Sequence, residues 1–150
     1  MLPAELERYL HEHIPLTRAM ALGVVAITAD AVILQAPLQP NINHRATVFG
    51  GSASALALLA GWSLLHVRLH AEGIASRLVI QRNTMEFHRP IAGQFSAHAS
   101  LQQPERWRDF TQMLARKGRA RITVLALLKS ADQLVGQFTG EFVALHESAG

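Results

Sequence analysis

The sequence predicts an α+β fold in which one long apolar helix is wrapped by a six-stranded antiparallel sheet, and three observations carry that prediction. Ala46 to Val67 holds no Asp, Glu, Lys or Arg, so a helix there is apolar on every side and needs protein around it. Six runs of β-branched or alternating apolar residues flank it, most joined by links short enough for hairpins rather than crossover units. A chain of 150 residues buries roughly two thirds of the surface its unfolded form exposes. That is enough for one core, and residues 1–150 are expected to form a single domain.

Residues 3–13 place Pro3 in a first turn and Leu6, Tyr9, Leu10 and His13 on one face, the pattern of a short amphipathic helix that Pro15 stops. Residues 20–29 and 32–38 read as two strands around a hairpin turn at Thr28-Ala29-Asp30-Ala31, with Pro37 and Pro40 closing the second. An irregular loop runs from Gln39 to Phe49. The long helix follows over residues 51–70, about 30 Å at 1.5 Å per residue, and Gly61 beside Trp62 marks a close contact with the sheet. Four more strands are expected at 77–88, 94–101, 119–129 and 134–145. A shorter amphipathic helix over 104–116 carries Trp107, Phe110, Met113 and Leu114 at helical spacing. Any strand left open at the sheet edge favours pairing with a second copy, so a homodimer or higher homo-oligomer is expected.

Composition removes several classes. With no cysteine, disulfides, thiolate nucleophiles and cysteine-based metal sites are excluded, which suits a reducing cytoplasm. The N-terminal residues carry acids and histidines where a secretory signal would be basic and then apolar. Ala46–Val67 is long enough to imitate a membrane span, yet it includes Gly50, Gly51, Gly61, Ser52, Ser54, Ser63 and His66; a core helix is the reading adopted, with no membrane partner. The net charge is +3, and the basic run from Arg106 to Arg121 is interrupted by Asp109, with no nucleic-acid motif beside it. It is read as a solvated face or as a docking surface for the phosphates of coenzyme A or an acidic carrier protein. His66 and His70 stand i, i+4, but no H-E-x-x-H motif accompanies them, so no metal and no cofactor are expected.

The segment with chemistry is Asn41-Ile42-Asn43-His44-Arg45-Ala46-Thr47-Val48-Phe49-Gly50-Gly51-Ser52, a polar loop running into the helix start. The first amides of a helix lack internal partners and carry the positive end of its dipole, and two glycines let a ligand approach the backbone. A thioester carbonyl, or the oxyanion formed when it is attacked, would be stabilised there. Asn43 and Thr47 could orient substrate or water, or simply cap the helix. Ser52 and Ser54 lack the G-x-S-x-G spacing of a nucleophile and are read as capping or substrate-lining residues.

Asn43-His44-Arg45-Ala46-Thr47-Val48-Phe49-Gly50-Gly51-Ser52, followed by Leu58-Leu59-Ala60-Gly61-Trp62, resembles the thioesterase family related to the YiiD C-terminal domain. Phe87-His88-Arg89-Pro90-Ile91-Ala92-Gly93 resembles the strand–proline–turn signature of hotdog-fold acyl-thioester enzymes, and the order of helices and strands resembles the same fold. The resemblance implies hydrolysis or binding of acyl-CoA or acyl-carrier-protein thioesters. In the better-understood relatives of the phenylacetate-pathway type, an Asn stands six residues before a His-Gly-Gly and a helix acid seven residues after the second Gly. Asn43, Gly50 and Gly51 match that pattern. Phe49 replaces the His and Leu58 the acid, and no Asp or Glu lies between Ala31 and Ala71. A general base must then come from elsewhere, with Glu86, His44 and His88 as candidates, Glu86 by reaching across a dimer interface. The expected catalytic set is Asn43, His44, Gly51 and Glu86; Thr47, Phe49, Gly50, Ser52, Ser54, His88 and Arg89 are expected to line the substrate.

Overall fold

A helix with no charged residue over its first 18 positions cannot stand in water, and the rest of the chain is arranged to cover it. In the computed structural model, which describes residues 1–147, this helix is α3, Gly50–Ala71. Eleven of its residues are buried, covering all of its circumference but a half-exposed stripe at Ala55, Leu58, Trp62 and His66. By length and hydropathy it would pass for a membrane span, but 61% of its most apolar window lies inside the protein.

Before it come α1 (Pro3–His13), α2 (Pro15–Ala19), β1 (Gly23–Ile27) and β2 (Val32–Ala36). After it come β3 (Ser76–Phe87), β4 (Phe95–Leu101), α4 (Trp107–Lys117), β5 (Arg119–Ser130) and β6 (Gln133–His146). Pro15 does more than stop α1: it takes the first position of α2, where a missing amide hydrogen costs nothing. The expected first strand is shorter as a result, because Met20 and Ala21 finish that turn, Ala21 with a positive φ of 55°. The Thr28–Ala31 hairpin forms as expected, with the Thr28 amide donating to the Ala31 carbonyl at 2.9 Å.

All six strands pair antiparallel, in the order β1-β2-β4-β5-β6-β3. This is the hotdog fold. β3 leaves α3 through a turn at Gly73, φ 68°, and crosses to the far edge, where among the described residues it pairs only with β6. Its other edge is open. β2, β4 and β5 alternate buried and half-exposed residues, so one face packs on α3 while the other faces outward. Bulges in β1, β3 and β6 add the bends that let the sheet curve around the helix.

Helix and sheet approach most closely at Gly61. A Cβ there would lie 3.2 Å from Val124 Cγ1 and 3.3 Å from the Phe142 ring, so the glycine is required by contact rather than by torsion. Gly61→Leu should destabilise the fold by the cost of an overpacked core, about 1–3 kcal/mol, read as a lower urea midpoint; an unchanged midpoint would contradict this packing.

Candidate active site

The loop before α3 is held by two asparagines, Asn41 at its base and Asn43 at the start of its turn. Asn41 is buried and donates through Nδ2 to the carbonyls of Met20 (3.0 Å) and Pro37 (2.8 Å), while its own carbonyl accepts from the Phe49 amide at 2.8 Å. Asn43 closes the turn itself. Its Oδ1 accepts from the amides of Arg45 (2.8 Å) and Thr47 (3.2 Å), and its Nδ2 donates to Thr47 Oγ1 at 3.0 Å and the Val48 carbonyl at 3.4 Å. An Ile42–Val48 bridge completes the loop, and the Val48 amide donates to the Ile91 carbonyl at 2.8 Å, tying it to the turn after β3.

These bonds deliver the chain to Phe49, the cap of α3, which offers no side-chain hydrogen bond. Ser52 and Ala53 both donate to the Phe49 carbonyl. The amides of Gly50 and Gly51 have no such partner, and no acid lies in the first turn. Two uncompensated donors at the positive end of a 22-residue helix make a site for an oxygen carrying negative charge. Two phenyl rings frame it. Phe87 lies 3.6 Å from where a Gly50 Cβ would be, and the Phe49 ring occupies the place that a Gly51 Cβ would take. Both rings are more than half exposed, at 57%, so the donors sit among apolar surface that a ligand can cover.

The expected site residues divide. Gly50, Gly51, Ser52, Ser54, Phe49 and the Asn43–Thr47 turn gather at the helix start, with the side chains of Asn43 and Thr47 engaged with each other and the loop backbone. Glu86 and His88 do not join them. Phe87 faces α3, so alternation along β3 turns its neighbours to the opposite face, where Glu86 and His88 lie 3.5 Å apart. His44 is exposed in the loop. Arg89 lies beyond the end of β3 and donates to Gln133 Oε1 at 2.7 Å. Among the described residues, no acid or imidazole hydrogen-bonds to residues 49–54.

Two other regions are placed differently from the sequence reading. The basic run lies on α4 and the start of β5, and α4 packs on the far end of α3: Arg68 stacks over Trp107 at 4.2 Å, and Trp107 Nε1 donates to Glu72 at 2.6 Å. Over the 22 residues of α3 that is about 33 Å from Gly50. Trp62 is only partly in the core. It stacks on His66 (4.7 Å), which stacks on Tyr9 (4.7 Å) and more loosely on His70 (6.3 Å), clasping α1 to α3. Sequence reasoning also passed over Asn41, whose neighbours Pro37 and Pro40 hinted at a fixed turn, and Asn83. Opposite Gly140, Asn83 falls on the helix-facing side of the open edge strand and stays exposed.

Fold and helix start together define a hotdog domain of the thioesterase type. The chain matches the family described as "Putative thioesterase (yiiD_Cterm)" over residues 3–146, and it belongs to that family. A protein of unknown function from Chlorobaculum tepidum TLS superimposes with a TM-score of 0.90 at 28% identity, covering 97% of this chain and 98% of that one. A structure from Shewanella oneidensis described as a "putative thioesterase" gives 0.84 at 22%, covering 95% and 96%. Another from Pseudomonas aeruginosa, described as a "probable thioesterase", gives 0.82 at 24%, covering 97% of each chain. The last two show the fold alone.

Burial, then His70, then His13, hold the His66 pKa below the ordinary imidazole value of about 6.5. The folded state therefore binds fewer protons than the unfolded chain, and this contribution is intact above about pH 6.5 and lost as pH falls toward the folded pKa. His98, lowered by burial and then by Lys129, acts in the same direction. Urea midpoints should fall on acidification below about pH 6.5, and His66→Phe, which keeps a ring in the stack, should flatten that fall; an identical pH profile would rule His66 out as its source.

Proposed function

We propose that this protein hydrolyses acyl thioesters of coenzyme A or acyl-carrier protein, with the carbonyl oxygen bound by the free amides of Gly50 and Gly51. The observation that carries this reading is the pair of unpartnered donors at the start of a buried helix, framed by Phe49 and Phe87. As water adds to the carbonyl carbon, negative charge moves to the oxygen, and fixed amides stabilise that charge more than they stabilise the ground state. The tetrahedral intermediate then expels the thiolate, which takes up a proton, and the carboxylic acid leaves as carboxylate. The Asn43–Thr47 turn holds the amides in place rather than touching substrate. His44, carried by the same loop, is the base proposed to take the proton from water; Glu86 points away from that face.

The open edge of β3 supports a homodimer in which two such strands pair and extend the sheet. Exposed Val79, Asn83 and Phe87 would then lie at or near the junction. Sedimentation at micromolar concentration should give twice the 16.4 kDa chain mass; a monomer throughout would reject the pairing.

A second reading is a module that binds acyl thioesters without turning them over, and the lack of any acid or imidazole bonded to the helix start favours it. Thiol release from a panel of acyl-CoA and acyl-carrier-protein thioesters separates the two. Gly50→Pro removes one amide at the first helical position, which tolerates proline, and Phe49 already has the extended backbone that a following proline requires. It should lower kcat by about 100-fold, the usual cost of one lost oxyanion donor. Gly50→Ala keeps the amide and places its methyl at ordinary contact with Phe87, so it should retain most activity. His44→Gln should slow release strongly and Glu86→Gln should leave it near wild type. Equal rates for Gly50→Pro and Gly50→Ala would remove the oxyanion site, and no release from any substrate would favour the binding module.

A further inference from the structure

A groove of about 860 Å³ lies outside the thioester site, lined from the outward face of the sheet by Gln35, Ser96 and His98. It opens at the end of the sheet where β3 finishes, between the 89–94 turn, the start of β4 and the β5–β6 hairpin. Two links join it to the helix start. Arg89 lies two residues beyond Phe87, whose ring faces Gly50, and the Val48 amide bonds to Ile91 in the same turn.

The groove presents donors and positive charge. Gln133 holds the Arg89 guanidinium at its rim at 2.7 Å. Lys129 stands close enough to His98 to push down the His98 pKa alongside burial, and His98 Nε2 shares a hydrogen bond with Ser96 Oγ at 3.0 Å. Gln35 adds an amide from β2. Asp132, at the hairpin tip, is the one acid in the lining, against two fixed cations. Its volume falls within the usual range for a small-ligand site, roughly 300–1,000 Å³.

We infer that this groove holds the phosphorylated nucleotide end of coenzyme A while the thioester lies at Gly50 and Gly51. The inference rests on the thioesterase reading above. It replaces the Arg106–Arg121 face as the phosphate site for a simple reason of reach. A pantetheine arm is about as long as five extended residues, ~17 Å, and cannot span the length of α3 within one chain. The groove begins at Arg89, two residues beyond Phe87, so the arm has only to round the end of the sheet to reach its outward face. Its size, about 860 Å³, suits a nucleotide better than a carrier protein, whose single phosphodiester would leave most of the groove unfilled.

The test compares one acyl group on three carriers: coenzyme A, acyl-carrier protein and N-acetylcysteamine, which lacks every phosphate. For each, kcat/KM is measured with wild type, Lys129→Glu and Arg89→Ala. Both side chains are exposed, and circular dichroism checks that the variants fold. The ratio of kcat/KM for acyl-CoA over the truncated thioester should drop at least 10-fold in each variant, mainly through KM. An unchanged ratio would overturn the assignment, as would a drop confined to acyl-carrier protein. If no substrate releases thiol, the hydrolase reading fails separately, and calorimetry with coenzyme A alone still reads the groove. Wild type should then bind and Lys129→Glu should bind at least 10-fold more weakly; no binding to wild type, or equal binding to both, would overturn it.

Discussion

Enclosure of α3 is the constraint on which the rest of the structure depends. Its buried side chains take up all but one stripe of its circumference, at Ala55, Leu58, Trp62 and His66, so a flat sheet face does not suffice and the strands must curve around it. Gly61 sets how closely they can come, because Val124 and Phe142 occupy the space a side chain would need. The chain meets the demand by sending β3 across to the far edge and by docking α1 and α4 over the remaining sides. Burial along the length of the helix leaves its first turn as the place where backbone donors meet solvent. The candidate site is thus a product of the core.

That arrangement explains why the loop before the helix carries so many internal hydrogen bonds. A helix start with free amides is useful only if it stays fixed when charge develops beside it, because reorganisation would consume the gain. Asn41 anchors the loop to the end of α2 and to the residue after β2, Asn43 closes its turn, and Val48 joins it to the segment after β3. Polar side chains that look available for chemistry are already committed to holding the backbone that performs it. The reacting region itself is largely apolar ring and peptide.

Much of the fold was legible because its strongest signals are local. A charge-free run longer than 20 residues and the spacing of Leu6, Tyr9 and Leu10 name a core helix and an amphipathic one, and strand alternation in 119–129 survives intact in β5. The crossing of β3 was not legible, since periodicity says which face a residue takes and nothing of which neighbour its strand finds. Pro15 was read as a stop when it also begins α2. The glycine pair was legible as a helix start. Whether Asn43 faced a ligand or its own loop was left open, because both uses call for the same residue type. The orientation of Glu86 follows from the parity of β3 once Phe87 is known to face inward, and only the three-dimensional contact with Gly50 fixes that. The distance of the basic run from the helix start likewise needed the packing of α4 on the far end of α3.

Phe49 and Gly51 carry a consequence for how such a chain can diverge. Gly51 has ordinary helical torsion, and what excludes a side chain there is the phenyl ring two residues earlier. Its identity is therefore conditional on its neighbour. A smaller residue at position 49 would lift the restriction on 51, and a larger residue at 51 would force the ring to rotate away from the helix start. The two positions are expected to drift as a pair, with each accepted change at one redefining which changes the other can tolerate.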